Sequence, residues 1–178
     1  MPPRLFRGAV LVALLRALTG LLRARAGETA DLEQWKIAVR ARFPEVPQLA
    51  TAELGHWLAA TNRVPPVLLD VRTPAEYRVS HLPGAQSVMP GATLATVRAL
   101  IPEHRPVVVY CSVGWRSSEL AQRLRQDGLT NVMNLEGSIF AWANENRPLE
   151  ADGRAVTTVH PYNRTFGRLL APGRRAAP

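Results

Sequence analysis

The chain has 178 residues, 47% of them hydrophobic and 20% charged, a length and balance that suit one globular domain with extensions and a sizeable core. A single cysteine, Cys111, excludes an intramolecular disulfide and any cysteine-rich zinc or iron–sulfur site, and His56, His81, His104 and His160 show no ligand spacing, so no metal and no other cofactor is expected. The formal net charge of +8 belongs to the ends: residues 1–25 and 154–178 supply ten arginines and no acid, whereas the stretch between them sets 12 basic residues against all 14 acids, so nucleic acid is not an expected partner.

Residues 1–26, MPPRLFRGAVLVALLRALTGLLRARA, carry an apolar run from Gly8 to Leu15, broken by Arg16 and resumed from Ala17 to Leu22. The run falls short of the ~20 apolar residues that a membrane-spanning helix needs. Three readings stay open: an interfacial or partner-binding helix, a secretory signal, or a segment with no targeting role. Peripheral membrane contact through residues 5–22 is accordingly one expectation for partners. The expected location is cytoplasmic, with membrane association through that segment, or export if residues 1–26 act as a signal.

Residues 27–43 have Leu32, Trp35, Val39 and Phe43 at helical spacing, and Pro44 and Pro47 then close a linker. From there strands and helices alternate. Thr51 can cap a helix ending near Ala60. VLLDV, from Val67 to Val71, reads as a buried strand. Thr73-Pro74-Ala75-Glu76 opens a helix: the threonine caps it, the proline fills its first turn and the glutamate stands at the capping-box position. A short strand over Gln86–Met89 precedes a helix from Thr93 to Ile101. Val107–Cys111, VVVYC, is a β-branched run of the kind buried on both faces of a parallel sheet. The following helix presents Leu120, Ala121 and Leu124 and stops at Gly128. Asn131–Leu135 is a further strand and Ser138–Asn146 a last helix. The expected class is α/β, a central parallel sheet of about five strands with helices on both faces, an N-terminal helical extension and a C-terminal tail. The expected parts are residues 1–26, a helix and linker over 27–47, a domain over 48–149 and a basic extension over 150–178.

Cys111 ends a strand, where ligands collect in α/β sheets. A helix begins just beyond it, so free backbone N–H groups and the positive end of the helix dipole should face the thiol, and Arg116 adds charge. Gly114 permits the tight bend that converges several N–H groups on one point. Ser112 leaves room around the sulfur. Cysteine, glycine and arginine at these offsets favour a reactive thiolate over an inert core cysteine.

Two stretches, LLDVRTPAEYRVSHLPGA over Leu68–Ala85 and VVVYCSVGWRSSELAQRLRQDGLTNVMNLEGSIFAW over Val107–Trp142, resemble the rhodanese-like family of single-domain sulfurtransferases. Asp70-Val71-Arg72, Glu76-Tyr77, His81-Leu82-Pro83-Gly84-Ala85 and the cysteine loop carry the likeness, which covers roughly residues 48–149. The resemblance implies that Cys111 takes a sulfane sulfur from a small donor such as thiosulfate, holds it as a persulfide and passes it to cyanide or to a small or protein thiol. Ser112, Val113, Gly114, Trp115 and Arg116 would form the persulfide- and anion-binding loop. Asp70 and Arg72 would support it, Arg72 through pairing with Glu76. His81 is expected as a turn residue rather than a base. Four residues separate Cys111 from Arg116, one fewer than in cysteine phosphatases, and the smaller ring suits one sulfur better than a phosphate. Phosphatase or arsenate-reductase chemistry is the lesser alternative, and a non-enzymatic docking module is another. Many thiosulfate-active members have a basic residue after the cysteine; Ser112 in that position leaves the donor open. Trp115 is placed at the rim of the loop, either free to shield a persulfide or packed on a neighbouring helix. Beyond the resemblance, Tyr162, Phe166 and Leu169-Leu170 are expected to dock on the domain or on the N-terminal segment, and residues 171–178 to be disordered.

Overall fold

The structure, a computed structural model, describes residues 31–177. The expectations placed on residues 1–26, and the first residues of the helix expected over 27–43, lie outside the described residues. Among the described residues no helix is long and apolar enough to cross a membrane.

Five parallel strands form the centre: β1 (Gln48–Leu49), β2 (Val67–Asp70), β3 (Gln86–Ser87), β4 (Val107–Tyr110) and β5 (Val132–Leu135). Their order is β1-β5-β4-β2-β3, with β4 in the middle. The β-branched run explains that position, because β4 is fully buried and must present apolar side chains to both faces. Val108 and Tyr110 join one core, while Val107 and Val109 join the other. The first core receives α2 (Thr51–Ala59) through Leu54 and α6 (Ser138–Asn144) through Ile139 and Phe140. The second receives α4 (Leu94–Arg98) through Val97 and α5 (Trp115–Gln126) through Leu120, Ala121 and Leu124. Helix α3 (Pro74–Val79) follows β2. Helix α1, over residues 31–42, reaches both cores, Leu32 entering the first and Val39 the second.

Some elements are shorter than expected. β3 covers only Gln86–Ser87, because it pairs on one side alone and both residues are exposed. Helix α4 ends at Arg98, and turns lead on to β4. A hairpin of β6 (Leu149–Ala151) and β7 (Arg154–Val156) was not anticipated, although its Asp152-Gly153 turn is a recognised hairpin signal; both residues have positive φ, 49° and 70°. The expected boundary at 149/150 falls inside β6. His81 and Glu150 exchange backbone hydrogen bonds of 2.9 Å, which anchor the hairpin beside the loop after α3.

The expectation of disorder from residue 171 is overturned. A 3-10 turn over Phe166–Leu169 delivers Leu169 and Leu170 into the first core. Val159 N donates to the Arg174 carbonyl at 2.7 Å, and Ala176 N donates to the Val159 carbonyl at 3.0 Å. Composition misses this order because two buried leucines and a backbone bridge, rather than a periodic face, hold the segment in place.

Candidate active site

The cysteine loop lies between β4 and α5 and is held from behind by α6. Ile139 N donates to the Cys111 carbonyl at 3.2 Å, and Phe140 N donates to the Ser112 carbonyl at 3.1 Å. Two amides at the start of α6, which have no partner within their own helix, are satisfied this way. With these carbonyls engaged behind the loop, Gly114 N–H turns to the sulfur and donates to Cys111 Sγ at 3.2 Å. Gly114 has φ of 108°, a region that L side chains rarely adopt, and an added Cβ would sit 3.2 Å from Asn134 Nδ2. Cys111 N donates to Ser138 Oγ at 3.1 Å, and Ser138 itself is buried with φ of 52°.

A hydrogen-bonded chain reaches the sulfur from β1. Gln48 Nε2 donates to the Val46 carbonyl at 3.2 Å, which turns Gln48 Oε1 toward Asn134 Nδ2 at 2.6 Å. Asn134 Oδ1 then accepts from Ser117 Oγ at 2.6 Å, and the same hydroxyl lies 3.4 Å from Cys111 Sγ. Burial alone would push the Cys111 thiol up. The Arg116 charge and the N–H groups of Ser117 and Gly114 outweigh it, and the net shift is downward from the ordinary value.

Glu76 is the residue whose place differs most from expectation. The pairing expected between Arg72 and Glu76 is not formed. Arg72 instead clasps Asp70, with Nε 2.9 Å from Oδ1 and Nη2 2.6 Å from Oδ2, and also donates to the Ser80 carbonyl at 2.6 Å. The capping box explains the exchange. It folds Glu76 back so that Oε2 accepts from Thr73 N at 2.9 Å, which aims the carboxylate at the cysteine loop. There it accepts from Arg116 Nη2 at 2.9 Å and Nη1 at 3.1 Å, and from Ser112 Oγ at 3.0 Å. Arg116 Nη2 also donates to Ser112 Oγ at 3.0 Å. Ser112 therefore braces an ion pair, a role its small size alone did not suggest.

Although burial opposes it, the Arg116 guanidinium and the Thr73 donors hold the Glu76 carboxyl down from its ordinary 4.5 to about 2. A carboxyl lowered on folding stabilises the fold above its ordinary value, and that stabilisation is lost as pH falls from 4.5 to about 2. The carboxylate is 2% exposed, so the contribution should be about 3 kcal/mol. Urea midpoints across this range should fall more steeply for the natural chain than for Glu76→Gln, and parallel curves would contradict the assignment.

Cys111, 1% exposed, forms the floor of a cleft of about 330 Å³. Ser112, Val113, Trp115 and Arg116 line it beside Cys111, with Trp35, Tyr162 and Phe166. Trp115 stands edge-on to Trp35 and Phe43 and also lines the cleft. Asp70 and Arg72 are buried at the end of β2 and bonded to one another. His81 is a turn residue, its Nδ1 3.1 Å from the Tyr77 carbonyl and its ring stacked on Tyr77. Sequence reasoning missed the roles of Ser117 and Asn134. It placed Trp35, Tyr162 and Phe166 only as packing residues.

A parallel sheet that presents one buried cysteine in an amide-lined loop between its central strand and a helix defines a class of α/β proteins built around a cysteine loop. The family model described as "Rhodanese-like domain" matches residues 51–145, and the chain belongs to that family. A "Sulfurtransferase" of Allochromatium vinosum is 37% identical over 106 residues, covering 60% of this chain and 96% of the relative. The "Probable adenylyltransferase/sulfurtransferase MoeZ" of Mycobacterium tuberculosis is 34% identical over 126 residues, covering 68% of this chain; the chain spans only 31% of that relative's length. Among solved structures, a rhodanese-like domain protein from Staphylococcus aureus aligns with a TM-score of 0.52 at 26% identity, covering 61% of this chain and 100% of that one.

Proposed function

We propose that the chain is a sulfurtransferase that works through a persulfide on Cys111. The observation that carries this reading is Gly114 N–H directed at the Cys111 sulfur, 3.2 Å away, on the floor of an open cleft. An amide so placed stabilises a thiolate and, after transfer, an anionic persulfide. In the first step the Cys111 thiolate attacks the terminal sulfur of a sulfane donor. The bond from Sγ to that sulfur forms, the donor's own bond to it breaks, and the electron pair leaves with the remainder of the donor. In the second step a thiolate or cyanide attacks the outer sulfur, and the Cys111 thiolate departs with the bonding pair. The nucleophile of each step is an anion, the Cys111 thiolate in the first and a thiolate or cyanide in the second, so no histidine base is required. The spacing of four residues between Cys111 and Arg116 favours a ring that holds one sulfur atom over one that holds phosphate.

Incubation with a sulfane donor, then intact-mass and peptide analysis, tests the reading. Cys111 should gain the mass of one sulfur atom, and addition of cyanide should return it to the thiol and release thiocyanate. Failure to gain sulfur from thiosulfate, a thiosulfonate and an organic persulfide alike would overturn it.

A further inference from the structure

The cleft above Cys111 is walled by aromatic rings from parts of the chain that lie far apart. Trp35 comes from α1, Trp115 from the start of α5, and Tyr162 and Phe166 from the C-terminal segment. Trp35, Tyr162 and Phe166 lie outside the residues matched by the family model. The rings brace one another. Trp35 and Phe166 have centroids 5.0 Å apart, Tyr162 and Phe166 meet edge-to-face at 5.3 Å, and Trp35 meets Trp115 edge-to-face at 6.4 Å. Such contacts hold the rings in fixed orientations. Val113 adds a further apolar side chain to the lining.

Charge in the cleft points the same way. Among the described residues of its lining Arg116 is the one charged side chain, and Glu76 takes two of its donors, with Ser112 sharing one of them. Arg116 Cζ lies 5.0 Å from the Tyr162 ring centroid. The guanidinium is therefore already engaged before any donor arrives, its charge shared between the Glu76 carboxylate and the Cys111 sulfur. A dianionic donor would approach a thiolate with no uncompensated cation among the described lining residues to meet it, and would leave its aromatic walls unused.

We propose that this cleft selects a small organic sulfane donor, singly charged at most, whose apolar or aromatic group lies against Trp35, Trp115, Tyr162 and Phe166 while its terminal sulfur meets Cys111. The assignment rests on the sulfurtransferase reading for its chemistry, and on the cleft alone for binding. A volume of about 330 Å³ is at the small end of the range for ligand clefts, which fits one ring with a short head group. With an aryl thiosulfonate, Ar–SO2–S⁻, the thiolate attacks the terminal sulfur, the sulfur–sulfur bond breaks, and Ar–SO2⁻ leaves with the electron pair. The persulfide retains one negative charge, so charge balances without an added oxidant or reductant.

Methanethiosulfonate and benzenethiosulfonate carry the same head group and charge and differ only in the apolar group. Steady-state transfer to cyanide should give kcat/KM at least about tenfold higher for the benzene compound, the difference residing in KM. Trp35→Leu and Phe166→Leu, each made singly, should bring the ratio of the two donors toward one. Binding of benzenesulfinate to the Cys111→Ala protein, followed by tryptophan fluorescence, reads the cleft without the chemistry. Saturable binding weakened by Phe166→Leu supports the assignment even if no donor is turned over, in which case the sulfurtransferase reading alone fails. Equal kcat/KM for the two donors, in a protein that does form the Cys111 persulfide and does not bind benzenesulfinate, overturns the assignment and leaves the sulfurtransferase reading standing.

Discussion

An Arg72→Leu variant is expected to lose about 3–5 kcal/mol of unfolding free energy, the cost of removing one partner from a fully buried ion pair. Both side chains are 0% exposed. Arg72 meets Asp70 through Nε and Nη2, its own backbone N–H donates to Asp70 Oδ1 at 3.0 Å, and Nη2 closes the loop after α3 through the Ser80 carbonyl. Leucine would leave the Asp70 carboxylate buried without its cation and would release Ser80. The loss should appear as a lowered urea midpoint with an unchanged slope. A second substitution, Asp70→Asn on the Arg72→Leu background, should recover part of the loss, because it removes the stranded charge. A single variant that loses less than about 1 kcal/mol, the range of an exposed pair, would show that the pair is solvated in solution. The pair closes the turn between α3 and β3, while the charge beside the sulfur is set by Glu76 and Arg116.

Local signals and long-range contacts were not equally legible. The run VVVYC, the glycine and the arginine lie within a few residues of one another, so backbone sterics and the strand-to-helix transition place the cysteine loop before any tertiary contact is known. The capping box at Thr73–Glu76 was legible as a helix start. Its second consequence, a carboxylate aimed at Arg116 from 40 positions away, depends on how α3 sits beside the loop, and nothing local specifies that. The same limit hid the aromatic wall. Trp35 was readable as a packing residue of α1 and Phe166 as a docking residue, but their meeting above Cys111 follows from α1 and the C-terminal turn covering one end of the sheet together. Asn134 reads as an interruption in a strand of apolar residues. Its purpose emerges only when Gln48 and Ser117 stand on either side of it.

Cys111→Ser is expected to reduce sulfur transfer to background while the fold persists. Serine is smaller than cysteine and fits the same pocket, and its hydroxyl can still accept from Gly114 N–H. The cradle that lowers a thiol pKa is far too weak to ionise an alcohol near neutral pH, so the nucleophile is lost without loss of shape. The substitution also has a thermodynamic signature that activity does not report. The Cys111 thiol lies below its ordinary value of 9.0 in the folded chain, so the thiolate is favoured in the folded state over the unfolded one. A group lowered on folding adds stability in full above its unfolded value and loses it as pH falls through the folded value. The stability of the natural chain relative to Cys111→Ser should therefore rise with pH up to about 9 and then level off, as measured by urea unfolding under reducing conditions. A difference that stays flat across that range would mean that Arg116, Ser117 and Gly114 do not overcome the burial of the sulfur. Transfer retained in the serine variant would remove Cys111 from the chemistry, and transfer absent from both proteins would leave a docking module built on the same fold.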